Sequence, residues 1–484
     1  MDPLPVCGTC GSRCPFLFFL FVSNFYLTHL FLRGILFHRK GGSPVRKRLS
    51  SSQIIFFGFA ALILLGSVLL SLPVSVREGQ TASFGTGLFT ATSAVCVTGL
   101  AVADTATYFS GFGQAVLLLL IQIGGMGVVT VAVSIAMFSG RRIGLMQRGL
   151  MQESISAPNL GGIVKLTRFI LRTSFCAEAL GALLLYPAMA ARAGRWKGIW
   201  YAVFHSVSAF CNAGFDLMGG GSLSSFAASP PVNLTVCALI LFGGLGFLTW
   251  EDFRTKRFSL HRYRMQSKTI LAMSVFLLTL PFLFFYFYEF NRPVWGTLSG
   301  SERFYLSLFQ TVTPRTAGFN TADLAQLSDS GRCITVLLML VGGAPGSTAG
   351  GMKITTFAVL FASARAVFER DSEARIFRRR VPQEAVRSAA AIATLYVSLL
   401  VLGSITLSCV EELPLSLCIF ECTSAICTVG LSVGLTASLG ALSRGILILL
   451  MFLGRIGALT LVFAALNPTG SLAARYPKES ITVG

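Results

Sequence analysis

Charge is what this sequence has least of. Asp, Glu, Lys and Arg make up 12% of its 484 residues, and only 20 of those are acidic, whereas a soluble globular chain carries about a quarter charged residues. Histidine is scarcer still, with 4 in the whole chain, which argues against a multi-His metal site. No His/Asp/Glu cluster, phosphate-cradling Gly-Lys-Ser/Thr loop or nucleophile motif is present, so a membrane enzyme has little to work with. Any nucleotide control must come from another chain. Twelve cysteines look numerous, but most sit in apolar stretches, where a thiol packs as a small hydrophobe. Cys7, Cys10 and Cys14 have spacings that could suit zinc, yet no Cys/His partner set follows, and an unstructured tail is the plainer reading.

What fills the chain instead is apolar sequence: 54% hydrophobic residues and a mean hydropathy of +0.72. Stretches of roughly 20 apolar residues recur along its length, the length needed to cross a bilayer. The net charge of +19 is not one patch for nucleic acid. It is parcelled into short clusters between apolar spans, at 38–48, 141–148, 254–264 and 369–380. Basic clusters between spans mark cytoplasmic loops, so the chain reads as a multi-pass protein of the cell membrane with those loops inside. One loop, "RAGRWK" at 192–197, falls on the outer side and stands against the trend. Residues 15–37 are long enough to span; an interfacial helix or a signal peptide are the alternatives.

The spans are organised by repetition. A span over 52–74 leads to a short piece at 83–94, a glycine-containing segment "CVTGL", and a second span over 115–138. The same unit returns with "CNAGFD" between spans near 164–190 and 232–252. It returns again with "TPRTAGFN" between spans near 269–289 and from 333, and with "CTVGLS" between spans near 387–409 and 443–465. The second spans carry matching glycine clusters, "GGMG", "GGLG", "GGAPG" and "GRIG". Self-similarity of this kind is the signature of a repeat architecture. The predicted fold is therefore an all-α polytopic membrane protein, with four span–pore-helix–span repeats placed pseudo-four-fold around a central cation pore. The units are an N-terminal extension over 1–47 with a candidate extra span, repeats at 48–140, 141–255, 256–368 and 369–466, and a cytoplasmic tail over 467–484.

Irregular backbone at membrane depth survives only when buried in protein or lining a water-filled cavity. Four such segments, each preceded by a half-length helix, fit a pore whose carbonyl oxygens replace the water around a dehydrated cation. The candidate filter residues are Val97, Thr98 and Gly99; Asn212, Ala213 and Gly214; Thr316, Ala317 and Gly318; and Thr428, Val429 and Gly430. Glycine reaches conformations in which successive carbonyls turn to one axis, while Leu100, Phe215, Phe319 and Leu431 anchor each segment. No acidic ring occurs at these positions. Helix packing by small residues is the competing reading, and for the second-span clusters it is as good as a functional one.

Two further features concern gating. "VGGAPGSTAGGMK" (341–353) puts five glycines and a proline into the second span of the third repeat, where a continuous helix would be heavily penalised. Gly346, Ser347, Thr348, Ala349 and Gly350 are expected to form a flexible loop beneath the filter, ending at Lys353, which can snorkel to the cytoplasmic edge. A simple helix kink is the alternative. Arg455 is an ionisable residue inside an apolar span, a functional position by default. It replaces the second glycine of the other clusters and is expected to face the cavity, pair with loop carbonyls or an acidic group, and repel cations. Arg315 stands where the other repeats have Cys96, Cys211 and Cys427, and should lie behind the filter with Glu421 as a candidate partner. Asp104 and Asp216 sit at the mouth, where they would concentrate cations; Glu178 and His205 are assigned structural roles.

The motifs "TSAVCVTGL", "SAFCNAGF", "VTPRTAGFNT", "TSAICTVGL" and "GGAPGSTAGGMKITT" together resemble the Trk/Ktr/HKT superfamily of potassium transporters, most strongly the bacterial Ktr-type membrane subunit, over about residues 48–466. The resemblance implies potassium as the transported ion, with sodium a candidate activator and no cofactor bound by this chain. It implies an intramembrane gating loop below the filter, a basic residue at the position of Arg455, and a homodimer on a cytoplasmic ring of nucleotide-binding regulatory subunits. Glycine at all four filter positions favours potassium, because serine at the first position accompanies sodium transport in the related plant proteins. The competing function is a sodium- or proton-coupled secondary transporter of another small solute; repeats of one orientation argue against the inverted repeats common there.

Overall fold

The computed structural model describes residues 50–138, 144–155, 162–257, 259–296 and 298–457. The expectations for the 1–47 extension, the 15–37 stretch and the 467–484 tail lie outside the described residues.

Helix α1 (Ser51–Leu70) starts where the Ser50 hydroxyl accepts from the Gln53 N–H and the Gln53 side chain accepts from the Ser50 N–H, a capping box that fixes its first turn. Its 20 residues span about 30 Å, the thickness of the hydrocarbon layer. Phe57, Leu64 and Leu65 stay exposed on its outer face, as suits a helix whose solvent is lipid. Repeat 1 continues with the pore helix α2 (Phe84–Val95), then α3 (Gly111–Met126) and α4 (Val128–Phe138). Repeat 2 opens with α5 (Leu145–Ile155) and continues with α6 (Ile163–Ala193), the pore helix α7 (Arg195–Phe210), α8 (Pro230–Gly244) and α9 (Phe247–Lys256). Repeat 3 comprises α10 (Met265–Phe287), the pore helix α11 (Gly300–Val312), α12 (Asp329–Leu340) and α13 (Ile354–Phe368). Repeat 4 opens with a small hairpin of β1 (Arg375–Ile376) and β2 (Arg379–Arg380), followed by α14 (Gln383–Glu411), the pore helix α15 (Leu415–Ile426) and α16 (Ala441–Ile456).

The first spans, α1, α6, α10 and α14, are unbroken. The second spans differ from the straight crossings the hydropathy suggests. In repeat 1, α3 and α4 meet at 98°, and in repeat 2, α8 and α9 meet at 94°. The breaks fall on Gly127 and Gly246, with φ of +86° and +84°, a region that L side chains reach only with strain. The first glycine of each cluster does a different job. A methyl on Gly124, Gly243 or Gly454 would run into the carbonyl oxygen of Val95, Phe210 or Ile426, the last residue of a pore helix. The clusters thus both admit close packing and turn the chain.

Packing between repeats closes a ring. α3 lies on pore helix α7, α8 on α11, α12 on α15, and α16 on α2. Each second span therefore supports the pore helix of the next repeat, and the fourth supports the first, bringing the carboxyl ends of all four pore helices to one centre.

Candidate selectivity filter and gate

The segment after each pore helix has one backbone design. Val97, Asn212, Thr316 and Thr428 have φ between +51° and +66°, and two residues later Gly99, Gly214, Gly318 and Gly430 have φ between +69° and +97°. The residue between is never in that region. Alternating hands turn successive carbonyls to the same side. For β-branched Val97, Thr316 and Thr428 a positive φ is strained, by about 1–3 kcal/mol each, and persists because the surroundings over-determine it. The N–H groups face away, into the pore helix: Cys96 N donates to Thr92 O (2.8 Å), Val97 N to Ala94 O (3.1 Å) and Thr98 N to Ser93 O (2.8 Å). Repeat 4 copies this with Cys427 to Thr423, Thr428 to Ala425 and Val429 to Ser424, at 2.9, 3.1 and 2.8 Å. Gly99 N and Gly430 N then donate to the hydroxyls of Ser93 and Ser424, each at 3.0 Å. With these donors engaged, the segments of repeats 1 and 4 have carbonyl oxygens left to offer.

The four segments touch in sequence. A methyl on Gly99 would stand 2.6 Å from the Ala213 carbonyl oxygen, one on Gly214 2.8 Å from Ala317 O, and one on Gly318 2.5 Å from Val429 O; one on Gly430 would overlap Thr98 O. Each glycine thus abuts the carbonyl before the glycine of the next repeat, and the circuit closes from the fourth to the first. Each pore helix also ends at this ring, and its carboxyl end carries roughly half a negative charge. All twelve candidate filter residues lie in the ring. The sequence reading credited conformation to the glycines alone and missed the left-handed residue two positions earlier. It also missed the hydroxyls of Ser93 and Ser424, which accept from the filter glycine, and that of Ser208, which donates to Phe215 O at 2.8 Å. The last signal was available, since three of the four repeats place serine six residues before the glycine.

Below the ring, residues 341–353 leave the helix. The Thr348 N–H donates to Gly243 O (3.3 Å) and its hydroxyl to Phe210 O (2.9 Å). Ala344 N donates to Gly244 O (2.9 Å), Phe247 N to Gly346 O (2.8 Å), and the Ser347 hydroxyl to Ala344 O (2.6 Å). Gly350 lies against Thr428, where a methyl would overlap the threonine hydroxyl. Arg455 joins three repeats: its guanidinium donates to Thr348 O (2.7 Å) in the loop, and to Gly124 O and Gly125 O (3.1 Å to the latter) at the break in repeat 1. Lys353 does not reach outward as expected. It turns back and donates to Ala349 O at 2.8 Å, because the loop presents that carbonyl one turn away. Arg455, Lys353, Glu153, Ser347 and Tyr396 line a cavity of about 320 Å³ beneath the loop.

At the opposite end of the filter, Asp104 caps its own loop and accepts from Gly220 N of repeat 2 (2.8 Å), while Asp216 accepts from Met218 N (3.0 Å). Arg315 is buried behind the ring but does not meet Glu421. It donates to Ser274 on α10 (3.2 Å), while Glu421 takes hydrogen bonds from Ser432, Val433 N and Thr436. Cys96, Cys211 and Cys427 are buried; Cys211 packs against Gly125 and faces Gln122, which donates to Glu178 at 2.9 Å.

Known proteins resemble this chain along most of its length. The family model described as TrkH, cation transport protein, matches residues 20–474. The Ktr system potassium uptake protein B of Bacillus subtilis is 39% identical over 442 residues, covering 90% of this chain and 97% of that protein. The potassium/sodium uptake protein NtpJ of Enterococcus hirae is 38% identical over 450 residues, covering 91% of this chain and 98% of that protein. The crystal structure of the potassium transporter TrkH from Vibrio parahaemolyticus has the same fold, with a TM-score of 0.69 at 19% identity over 95% of this chain and 97% of that one. The chain belongs to the TrkH family of cation transport proteins, as a Trk/Ktr-type membrane subunit, and is a transporter rather than an enzyme.

Proposed function

We propose that this chain takes up potassium across the plasma membrane through the ring of four filter segments. The observation that carries the reading is the closed circuit in which each filter glycine abuts the carbonyl oxygen of the next repeat. A potassium ion entering it exchanges hydration water for carbonyl oxygens, aided by the negative ends of four pore helices. The names of the relatives, potassium uptake and potassium/sodium uptake, support a monovalent alkali cation as the cargo.

In this reading the 341–353 loop is the gate and Arg455 its lock. The half-buried guanidinium ties the loop to repeat 1 and puts a positive charge on the ion's path. The basic loops at 38–48, 141–148, 254–264 and 369–380 face the cytoplasm. The Ktr-system relatives support a membrane component of a larger uptake system; the homodimer, the nucleotide-binding regulatory ring and activation by sodium belong to this proposal through the sequence resemblance.

The test is rescue of potassium-uptake-deficient bacteria at low external potassium, with rubidium and sodium uptake measured in the same cells and the regulatory subunit co-expressed. Restored growth with rubidium uptake is the expected result. Membrane-inserted protein that carries neither potassium nor rubidium overturns the proposal.

A further inference from the structure

Aligning the pore helices on the filter glycine exposes a feature that only two repeats share. Nine residues before the glycine stand Thr90, His205, Phe309 and Glu421. In repeat 2, His205 Nε2 accepts from the backbone N–H of Leu217, three residues beyond Gly214, at 3.3 Å. In repeat 4, Glu421 Oε1 accepts from the N–H of Val433, three residues beyond Gly430, at 3.2 Å. An imidazole and a carboxylate thus make the same bond from the same helical position to the same filter-exit position. Both side chains are fully buried. His205 Nδ1 lies 2.7 Å from Tyr201 O, so the proton sits on Nδ1 and Nε2 is free to accept. Glu421 also takes the hydroxyls of Ser432 (2.5 Å) and Thr436 (2.9 Å).

The other two repeats have no such brace. Phe309 has no acceptor, and the buried Thr90 hydroxyl has no hydrogen-bond partner among the described residues. Their exits lean on repeat 2 instead. Gly220 N donates to Asp104 of repeat 1 (2.8 Å), Leu223 N donates to Asn320 O of repeat 3 (2.8 Å), and Asn320 N donates to the Ser222 hydroxyl (3.2 Å). The loop that His205 holds is therefore the loop on which both neighbours rest. In the order of the ring, repeats 2 and 4 are diagonal to one another.

We propose that His205 and Glu421 are positioning residues for ion selectivity: two diagonal props, rooted in the pore helices, that hold the outer end of the filter at the width a dehydrated potassium ion needs. The proposal rests on the filter reading and adds to it two residues outside the filter segments. Removing a prop leaves a buried N–H without its acceptor, a penalty large enough to shift the exit backbone.

The experiment measures rubidium uptake and its competition by sodium in proteoliposomes containing the full chain, for His205→Phe, Glu421→Met, Thr90→Ala and Gly318→Ala. Quantities are normalised to folded protein recovered by size exclusion. The expected result is a fall of at least fivefold in rubidium-over-sodium preference for His205→Phe and Glu421→Met, carried by a raised KM for rubidium, with the preference of Thr90→Ala unchanged. Where either variant is not recovered folded, His205→Asn or Glu421→Asp, which shorten the prop, replaces it with an expected twofold to threefold fall. An unchanged preference in the prop variants while Gly318→Ala loses it overturns the props and leaves the filter standing. An equal loss in Thr90→Ala also overturns them. An unchanged preference in Gly318→Ala overturns the filter reading itself.

Discussion

The filter segments and the 341–353 loop are both glycine-rich backbone inside an apolar protein, yet they are held in opposite ways. The filter segments give N–H groups back to the ends of their own pore helices, such as Thr98 N to Ser93 O, Ala213 N to Ser208 O and Val429 N to Ser424 O. The loop makes bonds of its own, such as Ser347 to Ala344 O, but its anchors lie in other repeats: Gly243 O, Gly244 O and Phe210 O of repeat 2, and the guanidinium of Arg455 in repeat 4. A structure satisfied locally persists when its neighbours shift, whereas one satisfied across repeats depends on their relative position. Under the proposed function, the symmetric part of the molecule selects the ion and the part that breaks symmetry controls its flow.

This division can be broken most sharply at the filter. Gly318→Ala puts a methyl 2.5 Å from the Val429 carbonyl oxygen at a φ of +78°. Rubidium-over-sodium preference should fall by at least about tenfold, the equivalent of about 1.4 kcal/mol, when uptake is measured under sodium competition. Arg455→Gln should act next in size and in a different way. Losing the charge-assisted bonds to Thr348 O and Gly125 O frees the loop, and maximal rubidium flux should rise by about threefold to tenfold with the preference unchanged. A lowered flux would contradict the locking role. The smallest effect belongs to Gly127→Ala, which strains a backbone at φ +86° while the added methyl meets only ordinary contacts, the Ser154 hydroxyl at 3.4 Å being the nearest. Its melting temperature in detergent should drop by about 2–4 °C, with flux and preference near those of the wild type. A collapse of selectivity there would show that the bend, and not only the ring, sets the filter.

Much of the architecture is legible in the sequence because hydropathy and repetition report on it directly. Apolar runs of bilayer length give the first spans, and the fourfold recurrence of a glycine after a short helix locates Gly99, Gly214, Gly318 and Gly430. The clusters around Gly124 and Gly243 are equally visible, but nothing in their composition separates a packing glycine from a bending one. Gly124 and Gly127 do one each. The left-handed backbone of Val97, Thr316 and Thr428 is illegible, because β-branched residues carry no preference for it and tertiary packing imposes it. Partners across repeats are hidden for a similar reason. The acceptors of Arg455 are backbone carbonyls as far as 331 residues away, and a carbonyl has no sequence signature. The same holds for Arg315, which finds Ser274 rather than Glu421, and for Lys353, which finds a carbonyl within its own loop.

The most direct measurement places Gly318→Ala and a deletion of 347–349 side by side in proteoliposomes of one lipid composition, recording both the rate of rubidium uptake and its preference over sodium. Separate selection and gating predict crossed outcomes: the deletion raises the rate and keeps the preference, while Gly318→Ala loses the preference. If both variants change rate and preference together in the same proportion, filter and loop act as a single element, and the division of labour drawn between them is contradicted.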